Sequence, residues 1–322
     1  MSLRERTPES LRLRPGNAWA RLRVYLRPSP PPPASQPGEQ ALYGFAQPLL
    51  GLRLLVQDSR LLAEAVTPAA LLAAFCAMVA GFQMEGHGFR SWLGAFYKTF
   101  AVLAPLPSVL FAKHYARLAA VVRWRLGFGA CGPREMPLGM SLRRAIQQAI
   151  LIAVGVVPFA FVWRVLPGVG TALSQAVVAL WGVHWVVVDA LDDARVLAPG
   201  ESLAEAEEND QRAPPPWFIR VLHGAADRAP LRPLAGALRR FARLCDRLSL
   251  PWRGEIALME GHPAIAFGFA ISTAALLATP VLNLLFRPII LIGSAHLLGH
   301  LEKVEQPHAL NAAGTPTSAL AK

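Results

Sequence analysis

Long apolar runs alternate with basic connections along this chain. Six runs stand out, at residues 66–82, 92–112, 146–163, 169–188, 264–286 and 289–299. They are too uniformly apolar for the one-sided pattern of a surface helix, and ~20 apolar residues in helical form cross a hydrocarbon layer of ~30 Å. The pattern predicts an all-α integral membrane fold, with six apolar helical segments arranged as three hairpins, some of them only partly membrane-penetrating. Connections within a hairpin are short, at 83–91, 164–168 and 287–288, and those between hairpins are long. Lys98, Pro105 and Pro107 interrupt the second run, and Pro280, Asn283, Arg287 and Pro288 interrupt the last two. Charge at membrane depth is costly, so Lys98 and Arg287 are expected to face a protein interior, a water-filled cavity or the interface.

Composition fits this picture. Of the 322 residues, 53% are hydrophobic and 16% charged, with a formal net charge of +11, and the mean hydropathy is +0.36. The basic residues lie between apolar runs and not on a soluble domain with a nucleic-acid-reading motif, so no nucleic-acid partner is expected. Residues 113–144 carry seven Lys or Arg against Glu135 alone, whereas the hairpin connections hold only Arg90, Arg164 and Arg287. The positive-inside rule then puts both termini and both long loops, 113–144 and 189–263, in the cytoplasm. Cys76, Cys131 and Cys245 have no metal or redox spacing and read as free thiols.

Three domains are expected. Residues 1–40 form a basic, Pro-rich tail and linker, with seven arginines before residue 28 and an unbroken proline run at 30–33. Trp19, Leu22 and Leu26 share a helical face there, which suits contact with anionic lipid. Residues 41–302 form the membrane domain, and 303–322 a disordered tail. Within the second long loop, Leu234, Leu238, Phe241, Cys245 and Leu248 fall at helical spacing opposite Arg239, Arg240, Arg243 and Arg247. That amphipathic helix suits either a membrane surface or packing on the rest of the loop.

The run AFGFAISTAALLATPVLNLLFRPIILIGSAHLL, 266–298, resembles the C-terminal signature of the CysZ-type sulfate-permease family, which includes a eukaryotic etoposide-induced endoplasmic-reticulum protein. GFAQPLLGLRLLVQDSRLL, 44–62, is similar to that family's entry segment with its Gly-Leu-Arg motif, and LPGVGTALSQAVVALWGVHWVVVDALDDARV, 166–196, to its central hairpin and acidic turn. The resemblance implies a multi-pass protein of the bacterial inner membrane that forms homo-oligomers and conducts sulfate or a related oxyanion without a cofactor. It also implies a substrate site at Gly51, Leu52 and Arg53. A helix start near Gly51 would offer free N–H groups, and the Arg53 guanidinium a fork of charged donors; the alternative is that Arg53 anchors a helix end to lipid headgroups. Leu54 stands where a second basic residue often follows in sulfate-conducting relatives. The eukaryotic branch, and the Arg-rich additions of this chain, support the alternative of a membrane scaffold that binds anionic lipid or a partner protein.

Other patterns read as structural. Gly127, Gly129 and Gly132 spell G-x-G-x-x-G with no strand before them, and read as a flexible basic loop. His296 and His300 lie one turn apart beside Glu302 and could share a metal with a further ligand, or form a histidine pair at the interface. Asp189, Asp192 and Asp193 read as a capping, solvated acidic turn, with gating of a cation or pairing with Arg195 as the alternatives. No catalytic constellation emerges, so no enzymatic activity is expected.

Overall fold

A computed structural model of the protein describes residues 15–27, 30, 33, 35–82, 88–103, 109–129, 131–164, 170–228, 232–278 and 280–312. The connections at 83–87 and 165–169, the break at Pro105 and Pro107, most of the proline run and residues 313–322 lie outside them. The described chain is helical almost throughout: α1 (Pro15–Tyr25), α2 (Pro37–Gln57), α3 (Ser59–Phe82), α4 (Phe89–Leu103), α5 (Ala112–Arg125), α6 (Leu138–Arg164) and α7 (Gly170–Asp193) are followed by α8 (Leu203–Arg212), α9 (Trp217–Arg228), α10 (Arg232–Ser249), α11 (Arg253–Gly261), α12 (Pro263–Ala278) and α13 (Pro280–Ala312). A two-residue ribbon, β1 (Gly132–Pro133) against β2 (Val196–Leu197), is antiparallel and pairs Gly132 with Leu197.

Among the described residues two helices, α3 and α7, are long and apolar enough to cross a membrane, or three if the segment Arg232–Gly261 and α12, which meet at 107°, are taken as one broken span. The last apolar pair is not a hairpin turning at Arg287–Pro288. Helix α13 runs unbroken from Pro280 to Ala312, with a proline at its first position, where no hydrogen bond is lost. Arg287 is thereby carried on a continuous helix. The same helix covers residues 303–312, which the sequence left as tail.

The long connections are folded as well. Residues 113–144 hold most of α5, the β1 strand and the start of α6, and residues 189–263 hold four helices and a 3-10 turn at Leu250–Trp252. Helix α8 opens with a capping box: Ser202 Oγ accepts from Glu205 N–H, and the Glu205 carboxylate accepts from Ser202 N–H. Helix α5 ends in the opposite device, with Phe128 N–H donating to Arg123 O and Gly127 N–H to Trp124 O while Gly127 takes φ +77°. These bonds define a Schellman turn, so the G-x-G-x-x-G run is a helix stop. The turn delivers the Phe128 ring to His296 and His300, 5.8 and 5.2 Å between centroids.

The core is built on α2, against which α12 and α13 lie in backbone contact. A Cβ at Gly44 would be driven into the carbonyl oxygen of Ile265, one at Gly51 into that of Ile289, and one at Gly268 into that of Ala41. Small residues permit this approach, which brings the backbones into dispersion contact. Tyr43, Ala46, Leu55, Phe269, Ile289 and Ile292 are fully enclosed in this cluster. Helix α1 docks on it through Leu22 and Tyr25, with the Tyr25 hydroxyl donating to buried Glu39 (2.9 Å) and Arg21 pairing with the same carboxylate.

Substituting Ala for Gly268 should lower the unfolding free energy by about 2 kcal/mol, because a close-packed backbone contact must open. Gly236→Ala in α10, where a Cβ meets nothing, should stabilise by about 0.5–1 kcal/mol through helix propensity. Denaturant unfolding of both variants in one detergent checks the difference in sign.

Candidate functional site

The candidate site is a cavity of about 600 Å³ between α4, α6, α7, α12 and α13. Its wall is mainly apolar, contributed by Phe100, Ile152, Trp185, Leu277 and Ile290, with Gln148, Asp189, Asp193 and Arg287 as the polar groups. This composition, an apolar enclosure with few fixed polar groups, is that of a small-ligand site. Arg287 is the centre of it. Its Nη2 donates to Asp189 Oδ2 (2.8 Å) and Asp193 Oδ2 (2.6 Å), its guanidinium lies over the Tyr115 ring at 5.7 Å, and its buried Nε has no hydrogen-bond partner among the described residues. Asp189 and Asp193 stand one turn apart on α7 and so present both carboxylates on one face. Arg287 therefore faces a protein interior, one of the placements the sequence allowed. Lys98, by contrast, is exposed on α4.

Asp192 projects from the same turn of α7 in another direction, into a buried charge network. Arg144 Nη2 donates to both its oxygens (2.9 and 3.0 Å) and to Pro251 O (2.8 Å). Arg134 Nη2 donates to Asp210 Oδ2 (2.9 Å), and Arg195 Nη1 pairs with Asp210 Oδ1 (2.8 Å). Glu255 completes the set at 2.9 Å from Arg195 Nε and 3.8 Å from Arg134 Nη1, as ion-pair contacts in which neither carboxylate oxygen is the aligned acceptor of an N–H. The three arginines face Asp192, Asp210 and Glu255, so the buried charges balance. The expected pairing of the acidic turn with Arg195 is not formed; Arg195 goes to Asp210 and Glu255, and the turn is divided between Arg287, Arg134 and Arg144. Those partners come from residues far away in sequence, which no local pattern reveals.

Gly51, Leu52 and Arg53 lie elsewhere. Gly51 is deep within α2, not at a helix start, so its N–H is committed to the helix. It faces Ile289 on α13, Leu52 is half-buried against the core, and Arg53 is exposed, its Nη1 donating to Leu26 O (2.6 Å). Beyond it Asp58 caps α3, with Oδ1 accepting from Arg60 N–H (2.9 Å) and Leu61 N–H (3.1 Å), and pairs with Arg125. The Leu61 and Arg60 N–H bonds and Arg125 hold the Asp58 carboxyl below its usual range. The structure thus does not bring Arg53 to Arg287, but the tight Gly51 contact falls within one turn of Arg287 and sets its position.

His296 and His300 are 4.6 Å apart between centroids. His296 is buried, not interfacial, with its Nδ1 2.6 Å from Gln47 Oε1, while Gln47 Nε2 donates to Tyr43 O (3.1 Å). Glu302 turns away to Arg123. Among the described residues no three His, Cys, Asp or Glu side chains gather as metal ligands. The amphipathic helix is α10, and the C-terminal part of its apolar stripe, Phe241, Cys245 and Leu248, packs on a cluster containing Leu151, Trp185, Phe218 and Trp252, although Leu234 and Leu244 are exposed.

Comparison with known proteins gave no match: the chain fits no family model and resembles no curated protein or solved structure.

Removing one member of the balanced network strands a buried charge, so Asp210→Ala should cost about 3–5 kcal/mol, read by denaturant unfolding. Asp58 is a group of depressed pKa: its contribution is present above the ordinary carboxylate range and lost as pH falls through its own lower value. Asp58→Asn should accordingly flatten the acid side of the stability–pH profile relative to the parent protein.

Proposed function

We propose that the protein is an integral membrane permease for a small oxyanion of the sulfate class, with the Arg287 cavity as its solute site. The membrane reading is supported by the outward faces of the apolar helices. Leu71, Phe75, Met78 and Phe82 on α3, Leu142, Ile146 and Ile150 on α6, and Leu173, Val178 and Leu180 on α7 are all exposed, more apolar surface than a protein surrounded by water carries uncovered. The charge pattern of the chain favours both termini in the cytoplasm, and the likeness of residues 44–62, 166–196 and 266–298 to CysZ-type permeases favours a bacterial inner membrane and oxyanions as the cargo.

The single observation that carries the proposal is a guanidinium held in a cavity among apolar helices by two carboxylates. An arginine offers a fixed fork of donors that matches a tetrahedral oxyanion. As it stands the triad has one carboxylate in excess, so an entering anion competes with Asp193 for the guanidinium, and the displaced carboxylate takes up a proton in that apolar setting. Uptake of anion is then linked to uptake of a proton. Gly51 serves this site by fixing α13, and Arg53 serves as an exposed basic group away from it.

One observation favours the scaffold alternative. Trp19 on α1 is 61% exposed, with Arg23 over its ring at 5.6 Å, the pairing of aromatic and cation that seats a helix among anionic headgroups.

Labelled-sulfate uptake into proteoliposomes tests the first reading. Uptake should rise as external pH falls, should fall to the protein-free level in Arg287→Ala, and should lose much of its pH dependence in Asp193→Asn, while Arg53→Ala changes it by less than about threefold, as expected of a screened surface charge. Absence of uptake from folded parent protein, or full uptake by Arg287→Ala, would refute it. Under the scaffold reading, Trp19→Ala instead weakens binding to anionic vesicles in co-flotation.

A further inference from the structure

A second pocket, of about 240 Å³, lies where α6, α8 and α10 meet the 3-10 turn, and is separate from the Arg287 cavity. Arg143, Arg144 and Gln147 line it from α6, Glu207 and Gln211 from α8, and Arg247 from α10. We infer that this pocket binds a tetrahedral oxyanion: sulfate, inorganic phosphate or a phosphate monoester.

Arg143 and Arg247 are exposed and have no carboxylate within ion-pair distance among the described residues, unlike the exposed arginines Arg212, Arg220 and Arg239. They come from helices distant in sequence, and like charges converge on one concavity only at an electrostatic cost that an anion removes. Arg144 forms the buried floor. Its Nη2 is taken by Asp192 and Pro251, but its Nη1 has only long contacts, 3.4 Å to Glu207 and 3.5 Å to Met136 Sδ. Donor capacity is therefore left over at the floor as well as at the rim.

The walls decide the class of ligand. Gln147 and Gln211 add neutral amide donors, and Glu207 is the one carboxylate in the lining. Two exposed guanidiniums, the remaining Nη1 of Arg144 and two carboxamides match the several oxygens of a sulfate or phosphate, each charge-assisted hydrogen bond being about twice as strong as a neutral one. The remaining lining, Met140, Leu250 and Pro251, contains no aromatic ring on which a nucleobase could stack, so the anion and not an attached base is recognised. The same chemistry serves a free anion and the headgroup of a phosphatidate-type lipid.

The inference does not depend on transport, and its test keeps the two apart. Binding of inorganic phosphate and of sulfate to the full-length protein in neutral detergent is measured by calorimetry at constant ionic strength, with chloride as the balancing ion. A saturable component is expected that weakens about tenfold in Arg143→Gln and further in Arg143→Gln/Arg247→Gln, is unchanged in Arg240→Gln/Arg243→Gln, which removes two charges from α10 outside the pocket, and persists in Arg287→Ala protein, from which any binding at the Arg287 cavity has been removed. Glu207→Gln should tighten binding severalfold, a gain that damage to the fold does not produce. A parallel arm in nanodiscs compares phosphatidate with phosphatidylcholine: competition of phosphatidate with free phosphate for the same arginines assigns the site to a headgroup, and its absence assigns it to the free anion. Lack of saturable binding by the parent protein, or equal weakening in the Arg240/Arg243 control, overturns the inference.

Discussion

The backbone contact of α2 with α12 and α13 is the constraint from which the rest of the structure follows. Gly44, Gly51 and Gly268 remove the side chains that would hold these helices apart, and once the backbones touch there is one register in which the carbonyl oxygens find the glycines. That register carries Arg287 to the acidic turn of α7 and His296 to Gln47. A slide by one helical turn would displace both groups by about 5 Å, far more than a hydrogen bond tolerates, so the polar contacts of the interior report on the packing that places them.

Charge compensation is the second organising demand. The final turn of α7 carries Asp189, Asp192 and Asp193, and helical geometry sends them to two sides: Asp189 and Asp193 to Arg287 in the cavity, and Asp192 to Arg134 and Arg144 in the network that joins α7 to α8 and α11. One turn of helix thus links the cavity to the helical cap formed by residues 203–261. Neither side can lose a partner cheaply, since a lone charge among largely buried groups is left poorly solvated.

The cap itself resolves the ambiguity of its amphipathic helix in a mixed way. Phe241, Cys245 and Leu248 of α10 are covered by protein, whereas Leu234 and Leu244 are left outward, beside arginines that take no share in the buried network. A stripe wider than the contact available on α6 and α9 produces this division. The uncovered part is continuous in character with the apolar outer faces of α6 and α7, which suits a helix lying at the edge of a bilayer.

The sequence alone determined the helical character of the chain, the positions of its apolar segments and the expectation that Arg287 needs a protected place, because hydrophobic runs and buried-charge costs are local properties of composition. The amphipathic helix and the free cysteines were legible for the same reason. Tertiary structure decided what local pattern cannot encode: that Pro288 leaves α13 continuous, that Gly51 serves a helix contact and not a helix start, that the 189–263 segment is four packed helices, and that the acidic turn is shared among Arg287, Arg134 and Arg144. Each of these depends on which distant segment lies opposite. A glycine reads the same whether it meets a ligand or a neighbouring backbone, and an aspartate the same whether it faces water or an arginine from far along the chain; only the packed fold supplies the other half of the interaction.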